Sequence, residues 1–183
     1  MNTLCREMNA YLDKRIGTYE FRCRRYEAVC QKLEVMGFET TRQNCRGIIV
    51  DLGAGRGEFG AYLRTRFSSS KHIYIPLDAS IDGIDLDNFR PWIEGITFYT
   101  AIEFLEHLPH VSVMHYLSMM PYQAKKGAVI TTPDPETTDV LAMDVTHKTP
   151  IHAAELMHRG WNVEHQRLFT EHRDTIVAWK EAP

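Results

Sequence analysis

The stretch Val50-Asp51-Leu52-Gly53-Ala54-Gly55-Arg56-Gly57-Glu58-Phe59-Gly60 decides the fold of this chain. An apolar run over residues 47–50 leads into the acidic Asp51, three glycines follow at alternate positions, and a helical pattern starts at Glu58. This order predicts a strand, a tight turn and a helix. Glycine permits positive φ and has no Cβ to block a close ligand, and the start of the helix directs free N–H groups into the turn. The sequence therefore predicts a cradle of backbone N–H groups beside a carboxylate, which suits a ligand with an amino-acid-like head and a nucleoside.

Other nucleotide-binding loops have different spacings. A P-loop needs a lysine after its second glycine, and no lysine occupies this turn. The dinucleotide-binding fingerprint G-x-G-x-x-G would place its third glycine at Glu58. The spacing G-x-G-x-G instead resembles motif I of the class I S-adenosylmethionine-dependent methyltransferases, written D-x-G-x-G-x-G, with all four residues in place: Asp51, Gly53, Gly55 and Gly57. The alternative is a glycine-rich turn that binds nothing.

The resemblance implies a fold, a cofactor and a set of cofactor contacts. The fold is an α/β, three-layer Rossmann-like sheet that ends in a reversed hairpin, and the cofactor is S-adenosylmethionine. Beyond the four motif residues, the implied cofactor contacts are Ala54, Ala79, Ala101 and Ile102.

A second acid follows the next apolar run, residues 72–77. Asp78 ends this predicted strand and lies 21 residues after Gly57. In nucleoside-binding α/β folds, an acid about 20 residues beyond the glycine loop accepts hydrogen bonds from the ribose hydroxyls. Asp78 is our candidate for that role, and an ordinary aspartate at a strand end is the alternative.

Strand and helix patterns alternate over residues 46–135, which predicts a mostly parallel sheet. The segment between Asp78 and Thr97 is short, so we expect a trimmed middle section in which residues 84–87 form a stunted strand. By resemblance, Asp85 or Asp87 would meet the adenine amino group. Residues 150–160 are predicted to be a helix that ends at Gly160. Residues 163–169 and 175–179 are predicted to be the reversed hairpin.

The N-terminal region has apolar residues at helical spacing over residues 4–37, with Gly37 as a stop signal. The apolar stripe consists of Leu12, Ile16, Tyr19, Cys23, Tyr26, Cys30 and Leu33. The basic residues are expected on the outer face, either solvated or in contact with an anionic substrate or nucleic acid: Lys14, Arg15, Arg22, Arg24 and Arg25. By resemblance, we expect a single domain, residues 1–183, in which residues 1–40 form a helical cap on a Rossmann-like core of residues 46–183.

Composition is that of an ordinary soluble protein. The chain has 183 residues, of which 44% are hydrophobic and 25% are charged, and its formal net charge is −3. That charge gives no general attraction to polyanions. No apolar run approaches the roughly 20 residues of a membrane span, no signal peptide is visible, and the four cysteines form no C-x-x-C pair. We therefore expect a cytoplasmic protein with reduced thiols and no membrane partner.

A second group of polar residues follows the strand predicted at residues 96–101. The spacing of Glu103, Glu106 and His107 brings the three side chains together on a helix, and His147 lies 40 residues after His107. This pattern resembles the small-RNA 2′-O-methyltransferases and the ubiquinone-pathway O-methyltransferases. In the first family two glutamates and two histidines bind a divalent metal, so the resemblance implies a Mg²⁺ or Mn²⁺ site with four ligands: Glu103, Glu106, His107 and His147.

The chemistry of these candidates fits transfer of a methyl group to oxygen. A divalent metal lowers the pKa of a hydroxyl and fixes its orientation. Without a metal the group could line the pocket, and His107 or His147 could act as a general base because imidazole titrates near neutral pH. Glu106, His107 and His147 are therefore the candidate catalytic residues.

Two sequence features argue against methylation of a nucleobase. The position that carries an N/D/S-P-P-Y motif in amino-methylating enzymes is occupied here by residues 101–104, and no cysteine follows Cys45 to act as a nucleophile. We predict an S-adenosylmethionine-dependent methyltransferase that acts on an oxygen of a small molecule. A ribose 2′-hydroxyl of RNA is the alternative acceptor, and a catalytically silent S-adenosylmethionine-binding protein is the alternative of another class.

Overall fold

Six strands form one sheet in the computed structural model, which describes residues 19–38, 47–67, 71–79, 85–87, 93–167 and 174–183. The strands are β1 (Ile48–Leu52), β2 (Ile73–Leu77), β3 (Phe98–Ile102), β4 (Gly127–Pro133), β5 (Asn162–Arg167) and β6 (Asp174–Glu181). The α-helices are α1 (Tyr19–Val35), α2 (Glu58–Arg66), α3 (His110–Gln123), α4 (Val140–Met143) and α5 (Ala153–His158). A 3-10 helix, Leu105–His107, follows β3.

The sheet has the order β2-β1-β3-β4-β6-β5. Strands β1 to β4 are parallel, whereas β6 runs antiparallel to both β4 and β5. This arrangement confirms the predicted parallel sheet and the reversed C-terminal hairpin. β2 lies on one side of β1, and β3 lies on the other. The connection after β1 therefore leads toward one edge of the sheet, and the connection after β3 leads toward the opposite edge. Ligands of open α/β sheets bind at such a switch point, beyond the carboxyl ends of the strands.

Helices cover both faces of the sheet. Along each central strand, successive side chains point to opposite faces. Ile49 of β1 belongs to a buried cluster formed with α1 and α2, whereas the adjacent Val50 belongs to a second cluster formed with α3 and α5. On β3, Phe98 likewise belongs to the cluster with α1 and α2, and the adjacent Tyr99 belongs to the cluster with α3 and α5. The predicted three-layer architecture is therefore confirmed.

Helix α1 belongs to one layer of this sandwich. Its apolar side chains Val29, Cys30 and Leu33 are fully buried against the sheet. The helix ends at Val35, and Gly37 two residues later is the predicted stop signal: this residue has φ 84°, and the N–H of Phe38 donates to the carbonyl of Leu33 at 2.8 Å. Residues 1–18 lie outside the described residues, so the predicted cap over the cofactor stays a prediction.

The predicted basic outer face of α1 is wrong for two of its members. Arg22 and Arg25 are 1% and 6% exposed and point toward the carboxyl edge of the sheet, where each forms an ion pair with a glutamate. Arg24 is exposed and pairs with Glu20 one turn away. Lys14 and Arg15 lie outside the described residues. The pattern misleads because a buried arginine with a carboxylate partner is indistinguishable in sequence from a solvated one.

The trimmed middle section contains no strand among the described residues between Asp78 and Thr97, which include residues 85–87. The stunted strand predicted at residues 84–87 is therefore wrong for these three residues, and Ile84 lies outside the described residues. Instead, the N–H of Asp87 donates to the Asp85 carboxylate at 3.0 Å, and the carbonyl of Leu86 accepts a hydrogen bond from Tyr116 of α3. Side-chain and backbone bonds within the turn and to α3 replace strand pairing here.

The predicted helix at residues 150–160 is present but shorter. It begins at Ala153 rather than near Pro150 and ends before Gly160, whose φ is 76°. Among the described residues, no helix has the length and apolar character needed to cross a membrane.

Candidate cofactor and cation site

The glycine loop between β1 and α2 has three left-handed residues. Gly53, Gly55 and Gly57 have φ of 68°, 54° and 77°. A Cβ built on Gly53 would lie 2.1 Å from the Phe104 ring, whereas one built on Gly55 or Gly57 would meet none of the described residues within 4 Å. Gly53 is therefore required by packing inside the protein. Gly55 and Gly57 leave open space beside the loop, where a ligand can approach the backbone.

Strand β2 holds the loop in place. The N–H groups of Gly53 and Ala54 donate to the carbonyl of Leu77, and the N–H of Gly55 donates to the Asp78 carboxylate at 2.9 Å. Asp78 thus lies directly beside the loop, with Ala79 exposed next to it. The structure brings Asp78 to the place from which it could reach a nucleoside, and its contact with a ribose stays a prediction.

Asp51, at the end of β1, is 2% exposed and has two hydroxyl partners. Its carboxylate oxygens accept hydrogen bonds from Tyr74 at 2.5 Å and from Thr100 at 2.7 Å. Burial raises the pKa of Asp51 to about 6, although both hydroxyls oppose the rise. Asp51 therefore ties β1 to β2 and β3 beneath the loop. On β3, the predicted contacts Ala101 and Ile102 are fully buried and half-buried.

Glu106, His107 and His147 form a compact group beyond β3. One potential ligand atom from each lies within 4.8 Å of the other two, and the imidazole rings meet edge to face with centroids 4.6 Å apart. The backbone fixes this approach, because the N–H groups of Lys148 and Thr149 both donate to the carbonyl of Glu106. The structure therefore brings together three of the four predicted ligands.

Hydrogen bonds define which imidazole nitrogens can accept a proton or a cation. Nδ1 of His147 lies 2.7 Å from the carbonyl of Val140, which can only accept, so this nitrogen carries the hydrogen. The Thr146 hydroxyl donates to Asp144 at 2.7 Å and therefore accepts from Nδ1 of His107 at 2.9 Å. Both rings are left with a lone pair on Nε2. Histidine ligands of metals are commonly oriented by such hydrogen bonds on the other nitrogen.

The electrostatics of this group suit a cation. Glu106 is fully buried, and neither of its carboxylate oxygens has a hydrogen-bond partner of ordinary geometry among the described residues. Burial and the neighbouring Glu103 raise its pKa well above 4.5, although the Arg25 guanidinium and the nearby Thr132 hydroxyl oppose the rise. Burial and the adjacent His147 lower the pKa of His107, which keeps its ring neutral at neutral pH. A buried carboxyl group beside two imidazoles fits a divalent cation, which would bind the ionised form of Glu106.

Glu103, the fourth predicted ligand, does not join this group. It has φ 50°, which makes it the one non-glycine residue with positive φ among those described. Its Oε2 lies 3.0 Å from Nη1 of Arg25, and its N–H donates to the carbonyl of Thr131. The Arg25 guanidinium therefore holds the Glu103 side chain, while Glu106 turns toward the histidines.

Solved structures with this architecture include several methyltransferases. A SAM-dependent methyltransferase from Archaeoglobus fulgidus superimposes with a TM-score of 0.57 and 19% identity, over 93% of this chain and 98% of that one. The chain has the class I methyltransferase fold.

Two further methyltransferases match over only part of their own length. The small RNA methyltransferase HEN1 matches with a TM-score of 0.52 and 15% identity, over 85% of this chain and 26% of that one. Human N-acetylserotonin methyltransferase in complex with SAM matches with a TM-score of 0.51 and 14% identity, over 85% and 55% of the two chains. Models of known protein families and the curated proteins give no match.

The sequence did not reveal several residues that shape the site of this methyltransferase fold. Arg22, Arg25 and Val29 have spacings of three and four, so they share one face of α1. That spacing was the available signal for the buried arginines. Tyr74 and Thr146, which hold Asp51 and His107, have no comparable signal because their partners are distant in sequence.

Asp51→Asn is expected to change how the stability of this methyltransferase fold depends on pH. The native carboxyl keeps its proton up to about pH 6, whereas its ordinary pKa is 3.8. Between these values the native state binds more protons than the unfolded state. The stability of the unmodified protein relative to the variant should therefore fall as pH rises, by about 3 kcal/mol in total. Urea unfolding of both proteins across this range gives the difference, and a difference that stays flat or rises with pH would contradict the assignment.

Proposed function

We propose that this protein is a methyltransferase that uses S-adenosylmethionine and acts on an oxygen of a small molecule. The observation that carries the proposal is the glycine loop. Gly55 and Gly57 leave open space at the switch point of the sheet, Asp78 lies beside them, and the Glu106/His107/His147 group lies beyond the next strand. A cofactor cradle and a proton- or cation-binding group thus flank the same edge of the sheet.

The cofactor contacts follow from the positions of these residues. The backbone of residues 55–57, beside the open space, would lie against the methionine part, although the N–H groups of Gly55 and Gly57 already donate within the protein. Asp78 would accept hydrogen bonds from the ribose hydroxyls. Asp85 or Asp87 would meet the adenine, while Ala79, Ala101 and Ile102 would line the space between. When bound, S-adenosylmethionine supplies an electrophilic methyl group, so the chain itself has only to orient an acceptor oxygen and remove its proton.

The Glu106/His107/His147 group would help to remove the proton of the acceptor hydroxyl. These three residues would hold a divalent cation, Mg²⁺ or Mn²⁺, which when bound lowers the pKa of an acceptor hydroxyl. The tautomers defined above leave Nε2 of each imidazole able to bind a cation. In a reaction without a metal, the neutral His107 would take the hydroxyl proton on Nε2.

A small-molecule acceptor is favoured over RNA by the placement of the basic residues of α1. Arg22 and Arg25 are buried and paired with Glu58 and Glu103, so neither adds to a basic surface. A ribose 2′-hydroxyl stays the alternative acceptor, because the fold also resembles that of HEN1 and the Glu/His group suits a metal-activated hydroxyl.

The proposal is tested by release of S-adenosylhomocysteine in the presence of Mn²⁺ and a panel of phenols, catechols and alcohols. Turnover with at least one acceptor supports it, and the same assay with short RNA oligonucleotides tests the alternative. Binding of S-adenosylmethionine without turnover on either panel would favour a catalytically silent cofactor-binding protein.

Loss of the cation ligands is expected to remove metal binding without unfolding the domain. Glu106→Gln keeps the side-chain shape and replaces a buried carboxyl group by a neutral amide, and His147→Ala removes one imidazole. Each should weaken Mn²⁺ binding by about tenfold or more, and EDTA should suppress turnover of the unmodified protein. His158→Ala, on the exposed end of α5, is the control and should bind Mn²⁺ normally. Full activity in excess EDTA would leave only the pocket-lining or general-base function for these residues.

RNA binding is expected to be weak. A protein that neutralises many phosphates binds RNA with an affinity that falls steeply with salt, and this chain has a formal net charge of −3. Filter binding of short single-stranded RNA should therefore give no micromolar affinity at about 150 mM salt. Micromolar or tighter binding with a steep salt dependence would promote the ribose 2′-hydroxyl to the first choice of acceptor.

A further inference from the structure

A cavity of about 450 Å³ opens beyond the carboxyl end of β4. One wall is the segment of residues 135–141 and the other is formed by Pro150 and His152. It lies outside the glycine loop, and none of the predicted cofactor contacts lines it. Neither the proposed cofactor contacts nor the proposed cation ligands account for this space.

The cavity adjoins the Glu106/His107/His147 group through one shared residue. Val140 lines the cavity, and its backbone carbonyl accepts the hydrogen bond from Nδ1 of His147. The wall of the cavity and the orientation of His147 therefore depend on the same turn of chain. The cavity and the histidine group thus lie next to each other, with Val140 between them.

The lining combines apolar and acidic side chains. Leu141 is 51% exposed although it is apolar, and it lines the cavity with Val140 and Pro150. Glu136 and Asp139 supply carboxylates, and one further polar group is the Thr138 hydroxyl, a buried donor without a hydrogen-bond partner among the described residues.

The balance of charge in the lining is negative. His152 is the one basic side chain in the lining, and its Nδ1 lies 3.1 Å from the Glu136 carboxylate. The Asp139 carboxylate is exposed and caps α4 through one oxygen, which accepts from the N–H of Ala142 at 3.2 Å. Carboxylates attract an ammonium group and repel a carboxylate or phosphate.

We propose that this cavity is the part of the acceptor site that binds the body of the acceptor, and that it selects an apolar molecule carrying a positively charged amine. The apolar body would pack on Leu141 and Pro150, and the amine would lie near Glu136 and Asp139. The interpretation of this cavity as an acceptor site rests on the proposed methyl transfer at the neighbouring histidines. The charge selection itself does not.

Three probes of matched size test the charge selection: phenethylamine, 2-phenylethanol and phenylacetate. Titration into the ¹⁵N-labelled full chain, followed by amide shifts of residues 137–141, should give affinities in the order amine, alcohol, acid. Because both carboxylates are exposed, the preference is small, and the amine should bind at most about threefold to fivefold more tightly than the alcohol at low salt. A preference of this size that disappears in Glu136→Gln/Asp139→Asn supports the proposal. Asparagine keeps the N-cap of α4 in that variant.

The matched control removes two carboxylates elsewhere. Glu20→Gln/Glu94→Gln changes the net charge equally at two exposed positions outside the cavity and should keep the preference for the amine. The proposal is overturned if the amine binds no more tightly than the alcohol, if both double variants behave alike, or if no probe shifts residues 137–141. S-adenosylhomocysteine binding is measured on the same sample. If it is present, a failed preference counts against the cavity alone, whereas its absence counts against the proposed function.

Discussion

Arg25→Met is expected to lower the free energy of unfolding by about 3 kcal/mol. Arg25 and Glu103 have side chains that are 7% and 18% exposed, and their charged atoms are 3.0 Å apart. Removing the guanidinium leaves the Glu103 carboxylate without this cation in a poorly solvated place, where Oε1 has no hydrogen-bond partner among the described residues. The cost is mainly that of a buried charge left uncompensated. Urea unfolding at neutral pH measures the change.

Two further variants separate this cost from a general effect of the substitution. Arg24→Met changes the neighbouring residue of α1, whose side chain is 56% exposed and pairs with an exposed glutamate, and should cost at most about 1 kcal/mol. Adding Glu103→Gln to Arg25→Met removes the orphaned charge and should restore about half or more of the lost stability. Equal losses for Arg24→Met and Arg25→Met, or no recovery in the double variant, would show that the buried pair does not contribute as argued.

Gly55→Val is expected to abolish stabilisation by S-adenosylhomocysteine. At a ligand concentration of about 100 times Kd, mass action raises the stability of the unmodified protein by about 2.7 kcal/mol. Valine at position 55 would project into space in which the glycine has nothing within 4 Å, and this is the space that the cofactor would occupy. Thermal unfolding with and without the ligand should then give the same midpoint for the variant.

Gly95→Val is the matched control for backbone strain. Gly95 also has positive φ, at 77°, and a Cβ there would have no neighbour closer than 3.9 Å. It precedes β3, at the edge of the sheet opposite the glycine loop, so the variant carries a similar conformational cost without blocking the site. It should lose intrinsic stability and keep the ligand-induced shift. If Gly55→Val keeps the shift as well, the cofactor does not lie over this part of the loop.

The parts of the fold that the sequence predicted are those with local causes. Gly37 and Gly160 end helices because each takes a left-handed φ that closes a hydrogen bond across the last turn, from Phe38 to Leu33 and from Trp161 to Leu156. The glycine loop likewise depends on residues adjacent in sequence. Alternating strand and helix patterns then restrict the topology to a parallel sheet, because parallel strands require crossover helices.

The parts that the sequence could not predict depend on pairs of residues distant along the chain. Arg25 meets Glu103 across 78 positions, and only this contact explains why Glu103 stands apart from the Glu106/His107/His147 group. The spacing of Glu103, Glu106 and His107 suggested a regular helix. The chain instead passes through the positive φ of Glu103 into a 3-10 turn, and Glu103 pairs with Arg25 while Glu106 lies beside the two histidines. In the trimmed middle section, the contacts of Asp85 and Leu86 with the turn and with α3 replaced the expected strand.

These contacts also define what the candidate site contains. One buried carboxyl group and two imidazoles would leave coordination positions for acceptor oxygens, whereas a fourth protein ligand would occupy one of them. The Arg25–Glu103 pair therefore influences the proposed chemistry as well as stability.

The central claim is that the glycine loop binds S-adenosylmethionine, and isothermal titration calorimetry with the unmodified chain tests it most directly. We expect saturable binding of one S-adenosylhomocysteine per chain, displaced by S-adenosylmethionine and lost in Gly55→Val. An absence of binding of either compound at millimolar concentration would contradict the claim.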